Sequence, residues 1–236
     1  MEPVFDLATV DADGAIREAE AGVAGDTRSS FFRKAAVGGG AVITSGAFMA
    51  MLPEVAMGRR GKAQDLRILQ FALLLEFLEA AFYKEAITKG RERRFSKNAQ
   101  DIAALLHAHE TTHVQTLKST IKALGGTPRK QPFFDFKDSN DSEDKFLATA
   151  LVLENTGVSA YLGQAARLQS RALLGAAAKI VTVEARHAAA IAVLIGNDPY
   201  NPGSGSITPD GAFDVPKSKK RILAAVRGTG FITVQS

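Results

Sequence analysis

Four long stretches of the chain place an apolar residue at every third or fourth position, which is the spacing of an amphipathic helix. These stretches are residues 62–89, 97–125, 141–171 and 173–196. Glycine is common just after the last residue of a helix, so we predict that Gly90 ends the first helix and Gly125 the second. No alternating strand pattern competes with the helical pattern inside these stretches. We therefore predict an all-α fold.

The lengths of the predicted connections restrict the order in which the helices can be connected in the fold. The first and second helices, and likewise the third and fourth, are joined by short links, whereas about 15 residues separate the second from the third. We predict a four-helix bundle with one long central crossover over residues 58–200. Residues 201–236 begin with many Gly, Pro and Ser and then carry a short amphipathic stretch at 221–226. We expect this extension to pack on the outside of the bundle.

Residues 1–57 have the composition of a leader. Residues 1–30 are polar and lack a helical or strand period, and residues 35–53 carry no charge. The segment from Thr27 to Lys34 resembles a twin-arginine export signal, although Ser29 stands where the second arginine belongs. This pattern favours an extracytoplasmic location, in the periplasm or cell envelope, over a cytoplasmic one. Residues 35–53 could also tether the protein to a membrane, but their modest apolarity disfavours a stable span.

Composition excludes several classes of function. The formal charge is only +4, and the basic residues are scattered or lie in short runs, so no nucleic acid is expected as a partner. The chain has no cysteine, which excludes disulfides, zinc–thiolate sites, iron–sulfur clusters and thiol catalysis. Any bound metal must therefore be held by oxygen or imidazole ligands.

Each predicted helix carries one glutamate midway along its apolar stripe. They are Glu76, Glu110, Glu154 and Glu184. Four carboxylates facing one interior would be costly to desolvate, and no lysine or arginine lies near them in the stripes. Two divalent cations would balance their four negative charges. The pattern therefore predicts a pair of metal ions, unless the helical register is wrong and the glutamates face water.

Two histidines make the prediction of a metal site more specific. His113 follows Glu110 by three residues, and His187 follows Glu184 by the same spacing, so each pair projects from one helix face. Either histidine alone would more often be an ordinary core residue. Two such ExxH pairs that alternate with two buried glutamates form a specific pattern, in which each pair binds one ion and the remaining glutamates bridge or cap the ions. The predicted metal ligands are Glu76, Glu110, His113, Glu154, Glu184 and His187.

Four further residues are candidates to support these ligands. Tyr83 follows Glu76 by seven residues and Tyr161 follows Glu154 by seven, which gives the chain a loose internal repeat. We interpret both tyrosines as core aromatics with a polar group that could bond to a ligand. Glu79 lies one turn after Glu76, and His107 lies one turn before Glu110. Glu79 could replace or support Glu76, and His107 could support Glu110.

A rival motif overlaps the second helix. His109 to His113 match HExxH, which in zinc proteases places both histidines on the metal and makes the glutamate a general base. That interpretation leaves Glu76, Glu154 and the second ExxH pair unexplained. It also conflicts with a helical register in which His109 points about 100° away from Glu110. A zinc metalloprotease is therefore the minor alternative, and we predict that His109→Ala leaves metal binding intact.

Two segments resemble a known family. Residues from Leu75 to Tyr83 and from His109 to His113 resemble the ferritin-like domain family that includes desiccation-related proteins, and the likeness extends over residues 62 to about 232. The resemblance implies a site for two iron ions, or two manganese ions, on the six predicted ligands. Ferritins, manganese catalases and di-iron oxidases share such a site, so the bundle alone does not select a reaction.

The ligand types and the resemblance lead to one main functional hypothesis. Carboxylate-bound iron with open positions suits oxidation of Fe(II) or removal of peroxide, with O2 or H2O2 as the partner. The alternative is a non-catalytic, stress- or desiccation-related envelope protein that keeps the bundle for structure. The sequence leaves open whether the protein is an enzyme and whether it forms a homo-oligomer or cage.

Overall fold

The computed structural model describes residues 59–196 and 213–233 of the chain. Its four long helices are α1 (Arg59–Glu92), α2 (Lys97–Ala123), α3 (Glu143–Ala165) and α4 (Arg171–Leu194). A short helix, α5 (Lys219–Gly228), follows them. The predicted all-α four-helix bundle is confirmed.

The helices pack as two pairs, α1 with α2 and α3 with α4, and the predicted long crossover joins the pairs. The crossover contains a two-residue strand, β1 (Phe133–Phe134), which pairs antiparallel with β2 (Ile232–Thr233) near the end of the described chain. The sequence analysis predicted no strands, because two residues are too few to show an alternating pattern.

Serine caps fix where the helices begin. In α2 to α5 the residue before the helix is a serine whose hydroxyl accepts a hydrogen bond from the backbone N–H three residues on, which satisfies one of the free donors at a helix start. These caps are Ser96, Ser142, Ser170 and Ser218. At the other end of α2, Gly125 adopts a φ of 70°, the left-handed conformation that glycine accepts without strain.

The prediction that Gly90 ends the first helix is wrong, because α1 continues to Glu92. The backbone N–H of Phe95 donates to the carbonyl oxygen of Gly90 at 2.9 Å. A side chain at position 90 would place its Cβ 3.0 Å from the Phe95 ring. Gly90 thus makes room for Phe95 rather than stopping the helix.

The predicted end of the third helix is also wrong, because α3 ends at Ala165 and not at residue 171. The buried carboxylate of Asp65, on α1, accepts hydrogen bonds from the backbone N–H groups of Gln169 (2.9 Å) and Ser170 (3.0 Å). These bonds hold residues 166–170 as a loop. Leu168 lies in that loop and packs at the edge of the core.

The core has two ends that are built from different residues. We call one the aromatic end, where Phe82 and Phe95 each stack on Phe146 with ring centroids 5.9 and 5.7 Å apart. We call the other the aliphatic end, which is built mainly from Leu69, Leu117, Leu173 and Ile180. The predicted ligands lie between these two ends, on the middle turns of the helices.

The described part of the C-terminal extension contacts the bundle. Ile222 and Val226 of α5 are buried in the core, and the N–H of Lys217 donates to the carbonyl oxygen of Ser159 at 3.0 Å. A Cβ at Gly163 would lie 1.9 Å from the carbonyl oxygen of Lys217, so only glycine permits this approach. Within the described ranges, no helix combines the length and apolarity that a membrane crossing requires. The predicted leader, export-like signal and tether at 1–57 lie outside the described residues.

Candidate metal centre

The four central glutamates face the interior of the bundle. Glu76 lies on α1, Glu110 on α2, Glu154 on α3 and Glu184 on α4, and the exposed fraction of each is 0 %. The alternative in which the helical register places them in water is therefore wrong. Helix packing has brought four carboxylates from four separate helices into one apolar interior, where they need positive charge or protons.

The six predicted ligands form two overlapping groups. The first is Glu76, Glu110, His113 and Glu184, and the second is Glu110, Glu154, Glu184 and His187. In each group, one ligand atom from every residue lies within 4.8 Å of the others. Glu110 and Glu184 belong to both groups, whereas Glu76 and Glu154 belong to one each. Of the two roles left open for Glu76 and Glu154, the geometry favours capping at the ends.

The imidazole of His113 meets three carboxylates through one nitrogen. Its Nδ1 lies 2.9 Å from Glu110 Oε2, 3.1 Å from Glu76 Oε2 and 3.2 Å from Glu184 Oε1. A single N–H cannot donate well to three acceptors. Ligand atoms about 2.1 Å from one ion and at right angles to each other lie about 3.0 Å apart. The spacing around His113 is therefore that of atoms arranged about a metal ion.

His187 repeats this arrangement in the second group. Its Nδ1 lies 3.1 Å from Glu154 Oε2 and 3.1 Å from Glu110 Oε1. Its Nε2, on the far side of the ring, lies 2.9 Å from Nδ1 of His109, and the two rings stack with centroids 5.1 Å apart. A histidine that binds metal usually donates its other N–H to an acceptor, and His109 Nδ1 is placed to accept it.

The geometry and the comparisons with known proteins agree. A family model described as a ferritin-like domain matches residues 64–197, which is more than half of the chain. The chain belongs to the ferritin-like domain family. A search of curated proteins finds no match to it.

The HExxH alternative does not fit this ferritin-like domain. A zinc protease would need His109 and His113 on one ion, but His109 belongs to neither ligand group and lies behind His187 instead. The contact between α2 and α4 that joins His109 to His187 spans 78 residues of sequence. Helical spacing within α2 gave no signal for it, so the sequence analysis did not identify His109 as a partner of a ligand.

Each of the two predicted tyrosines contacts the central glutamate of the other helix pair of this ferritin-like domain. The hydroxyl of Tyr83 donates to Glu154 Oε1, and that of Tyr161 donates to Glu76 Oε1. Burial and the neighbouring carboxylates raise the pKa of both phenols well above the usual value. Both phenols therefore stay protonated and act as donors that hold the two end carboxylates in place.

Glu79 and His107 have different surroundings from those predicted. Glu79 is a further buried carboxyl group, and burial, with repulsion from Glu184 and Glu154, raises its pKa well above the usual value. It belongs to neither ligand group, so it does not replace Glu76. His107 Nδ1 lies 3.0 Å from the carbonyl oxygen of Ala80, and so this residue links α2 to α1 instead of supporting Glu110.

Gly157 on α3 is a further contributor that the sequence analysis did not single out. A Cβ at this position would lie 2.9 Å from Glu184 Oε2 and 3.3 Å from Glu79 Oε1. The missing side chain leaves room for both carboxyl groups. A glycine inside an apolar stripe is a weak signal by itself, because the crowding that requires it comes from two other helices.

The unsatisfied oxygens of the centre are compatible with metal binding. Within the described part of the chain, both oxygens of Glu184 are buried without a well-aligned hydrogen bond. An uncompensated buried carboxylate is strongly destabilising, and a cation shared between the two groups would satisfy both oxygens. The donor set of carboxylates and imidazoles suits iron and manganese.

Protons take the place of cations when no metal is bound. Burial raises the pKa of Glu76 to about 7, although His113 opposes the shift. Burial alone would lower the pKa of His187, but hydrogen bonds to Glu110 and Glu154 raise it to about 9. Burial also lowers the pKa of His109, and so does the neighbouring His187, so His109 is neutral and able to accept a hydrogen bond. Metal binding at this site must displace protons.

Proposed function

We propose that this ferritin-like protein binds two iron ions between α1, α2, α3 and α4 and oxidises Fe(II) with O2 or H2O2. The observation that carries the proposal is the meeting of carboxylate oxygens from three helices around Nδ1 of His113 and from two helices around Nδ1 of His187, together with the unsatisfied oxygens of Glu184. Manganese is the alternative metal, because the same oxygen and imidazole ligands suit it.

The two ligand groups assign a role to each residue. Glu76 and His113 would hold one ion, and Glu154 and His187 would hold the other. Glu110 and Glu184 would contact both, so that four carboxylates balance two divalent charges. Fe(II) held there would supply the electrons that reduce O2 or peroxide and would become Fe(III).

The surrounding residues position the ligands and keep the site dry. Tyr161 and Tyr83 each hold one end carboxylate by a hydrogen bond, which leaves the second oxygen of that carboxylate for the ion. His109 fixes the ring of His187 so that Nδ1 faces the carboxylates. Buried apolar residues on both sides exclude bulk water, which strengthens every electrostatic interaction at the centre.

Metal analysis combined with oxidation kinetics tests this proposal. The purified full-length protein should hold two metal ions per chain and should oxidise added Fe(II) faster than the buffer does. Glu110→Ala removes a ligand of both groups and should abolish both properties. Asp101→Ala is the matched control, because Asp101 lies on the same helix but is exposed and forms a surface ion pair with Lys97. Equal oxidation rates in the wild type and in Glu110→Ala would refute the enzymatic proposal.

The non-catalytic alternative has less support from the site. A bundle that is kept for structure alone gains nothing from four fully buried carboxylates, because apolar residues of similar volume would stabilise the core better. That alternative requires Glu110→Ala to leave both the metal content and the function in the cell unchanged. Export and a role in stress or desiccation remain predictions from the sequence.

A further inference from the structure

The aliphatic end of the bundle contains a cavity of about 40 Å³ beside the candidate metal centre. Carbon atoms form nearly all of its wall. Its main lining residues are Leu69, Ala72, Leu117, Ala160, Leu173 and Ile180. Four polar residues line it, Thr116, Thr120, Tyr161 and Gln164. Tyr161 donates its hydroxyl to Glu76, Thr120 donates to the carbonyl oxygen of Thr116, and Gln164 donates to the carbonyl oxygen of Gly163.

The size and chemistry of the cavity restrict what it can hold. A buried water needs two to four polar partners, and this wall offers almost none. The volume exceeds the roughly 10–15 Å³ that one water requires but is well below the roughly 150 Å³ of a cavity that binds benzene. A small apolar molecule of two heavy atoms, or a single xenon atom, matches both limits.

Tyr161 connects the cavity to the candidate metal centre. The ring of Tyr161 forms part of the wall, and its hydroxyl donates to Glu76 of the first ligand group. One side chain, that of Tyr161, therefore contacts both the cavity and a candidate ligand. On the outer side, the half-buried Leu168, Ala176 and Ala177 line the cavity, so two of the three residues at this rim have small side chains.

We infer that this cavity binds dioxygen and supplies it to the first ligand group from the aliphatic end. The role in supply rests on the proposed iron oxidation, whereas binding of a small apolar molecule does not. At the aromatic end, Tyr83 is fully buried, and its ring contacts Phe82 and Phe146 with centroids 5.4 and 6.2 Å apart. The two tyrosines thus play the same part for the carboxylates, but only the ring of Tyr161 is part of the wall of this cavity.

Xenon tests occupancy without any iron chemistry. Crystals of the full-length protein under xenon pressure should show one xenon atom between Ala160, Tyr161 and Ile180. Ala177→Leu adds carbon atoms at the rim of the cavity and should remove or strongly reduce this xenon. Ala178→Leu is the matched control, because Ala178 neighbours Ala177 on α4 but is exposed and outside the lining. A wild-type cavity without xenon would overturn the inference.

The dependence of the Fe(II) oxidation rate on O2 concentration tests whether the cavity supplies dioxygen to the metal centre. With equal iron loading, Ala177→Leu should need a several-fold higher O2 concentration for half-maximal Fe(II) oxidation, and Ala178→Leu should behave like the wild type. If xenon binds but both variants show the wild-type O2 dependence, the supply role is overturned. If xenon binds but the wild type neither holds nor oxidises iron, the proposed function fails while binding of a small apolar molecule is upheld.

Discussion

The aromatic and aliphatic ends of the bundle surround the same chemistry with different packing. In each half, a tyrosine from one helix donates to a glutamate of another, and a histidine Nδ1 faces carboxylate oxygens. Beyond this shared centre, stacked rings fill the aromatic end, whereas the aliphatic end retains a cavity. The same set of central side chains is thus compatible with two different kinds of packing beside it.

The prediction with the largest expected effect concerns the centre that the two halves share. Glu184→Ala removes a carboxylate of both ligand groups and should reduce metal content from two ions per chain to nearly none, with affinity falling by more than about 100-fold. Glu154→Ala removes an end carboxylate and should spare the ion of the first group. Mass spectrometry of the purified variants measures both results. Loss of both ions from Glu154→Ala would show that the halves are not separable.

The second prediction concerns the stability of the metal-free protein. Folding raises the pKa of Glu76 from 4.5 to about 7 and that of His187 from 6.5 to about 9, so the folded state holds more protons than the unfolded state between these values. Stability should therefore fall as pH rises, first between 4.5 and 7 through Glu76 and then between 6.5 and 9 through His187. Each group contributes at most about 1.4 kcal/mol per pH unit.

Urea unfolding at several pH values measures this dependence. In the metal-loaded protein, bound cations replace the protons, and the decline should weaken or reverse. Glu76→Gln should make the decline between pH 4.5 and 7 shallower and leave the step of His187. Part of the decline should remain, because the pKa values of Glu79, Glu154 and Glu184 are raised as well. A metal-free protein that becomes more stable between pH 6 and 9 would contradict the assignment of these protons.

The third prediction compares packing at the two ends by the same substitution on the same helix. Ala150 and Ala160 are both buried in α3 and both belong to the core cluster that contains the stacked rings, but of the two only Ala160 lines the cavity. Ala150→Val should cost about 1–3 kcal/mol, because added volume strains a filled core. Ala160→Val should cost less than about 1 kcal/mol, because part of the added volume has space. Thermal or urea unfolding of both variants provides the comparison, and equal losses would contradict it.

The smallest expected effect concerns the histidine behind His187. The sequence analysis predicted that His109→Ala leaves metal binding intact, but the 2.9 Å contact between the two imidazoles changes that expectation. Loss of a hydrogen bond to a ligand should weaken binding of the ion at the second group by about tenfold. His107→Ala is the control, since His107 contacts a backbone carbonyl and neither ligand group. Titration with a metal under competition would measure the difference, and equal affinities in the two variants would refute it.

Helical periodicity and charge were sufficient to predict the bundle and the convergence of its six central side chains. They succeeded because a buried glutamate in an apolar stripe is visible within one helix. The incorrect predictions concern features that depend on contacts with residues elsewhere in the fold. The end of α3 depends on Asp65, which is 104 residues from Gln169, and the role of Gly90 depends on the position of the Phe95 ring. His109 and Gly157 escaped notice because their partners lie on other helices.

The close approach at Gly163 has a consequence for how this chain can vary. The carbonyl oxygen of Lys217 occupies the space that a methyl group would take, so any larger residue would dislodge the segment that leads into α5. Gly163 belongs to neither ligand group. In a saturation library selected for folding alone, this position should nevertheless accept no replacement, whereas the open surroundings of Gly175 should accept many.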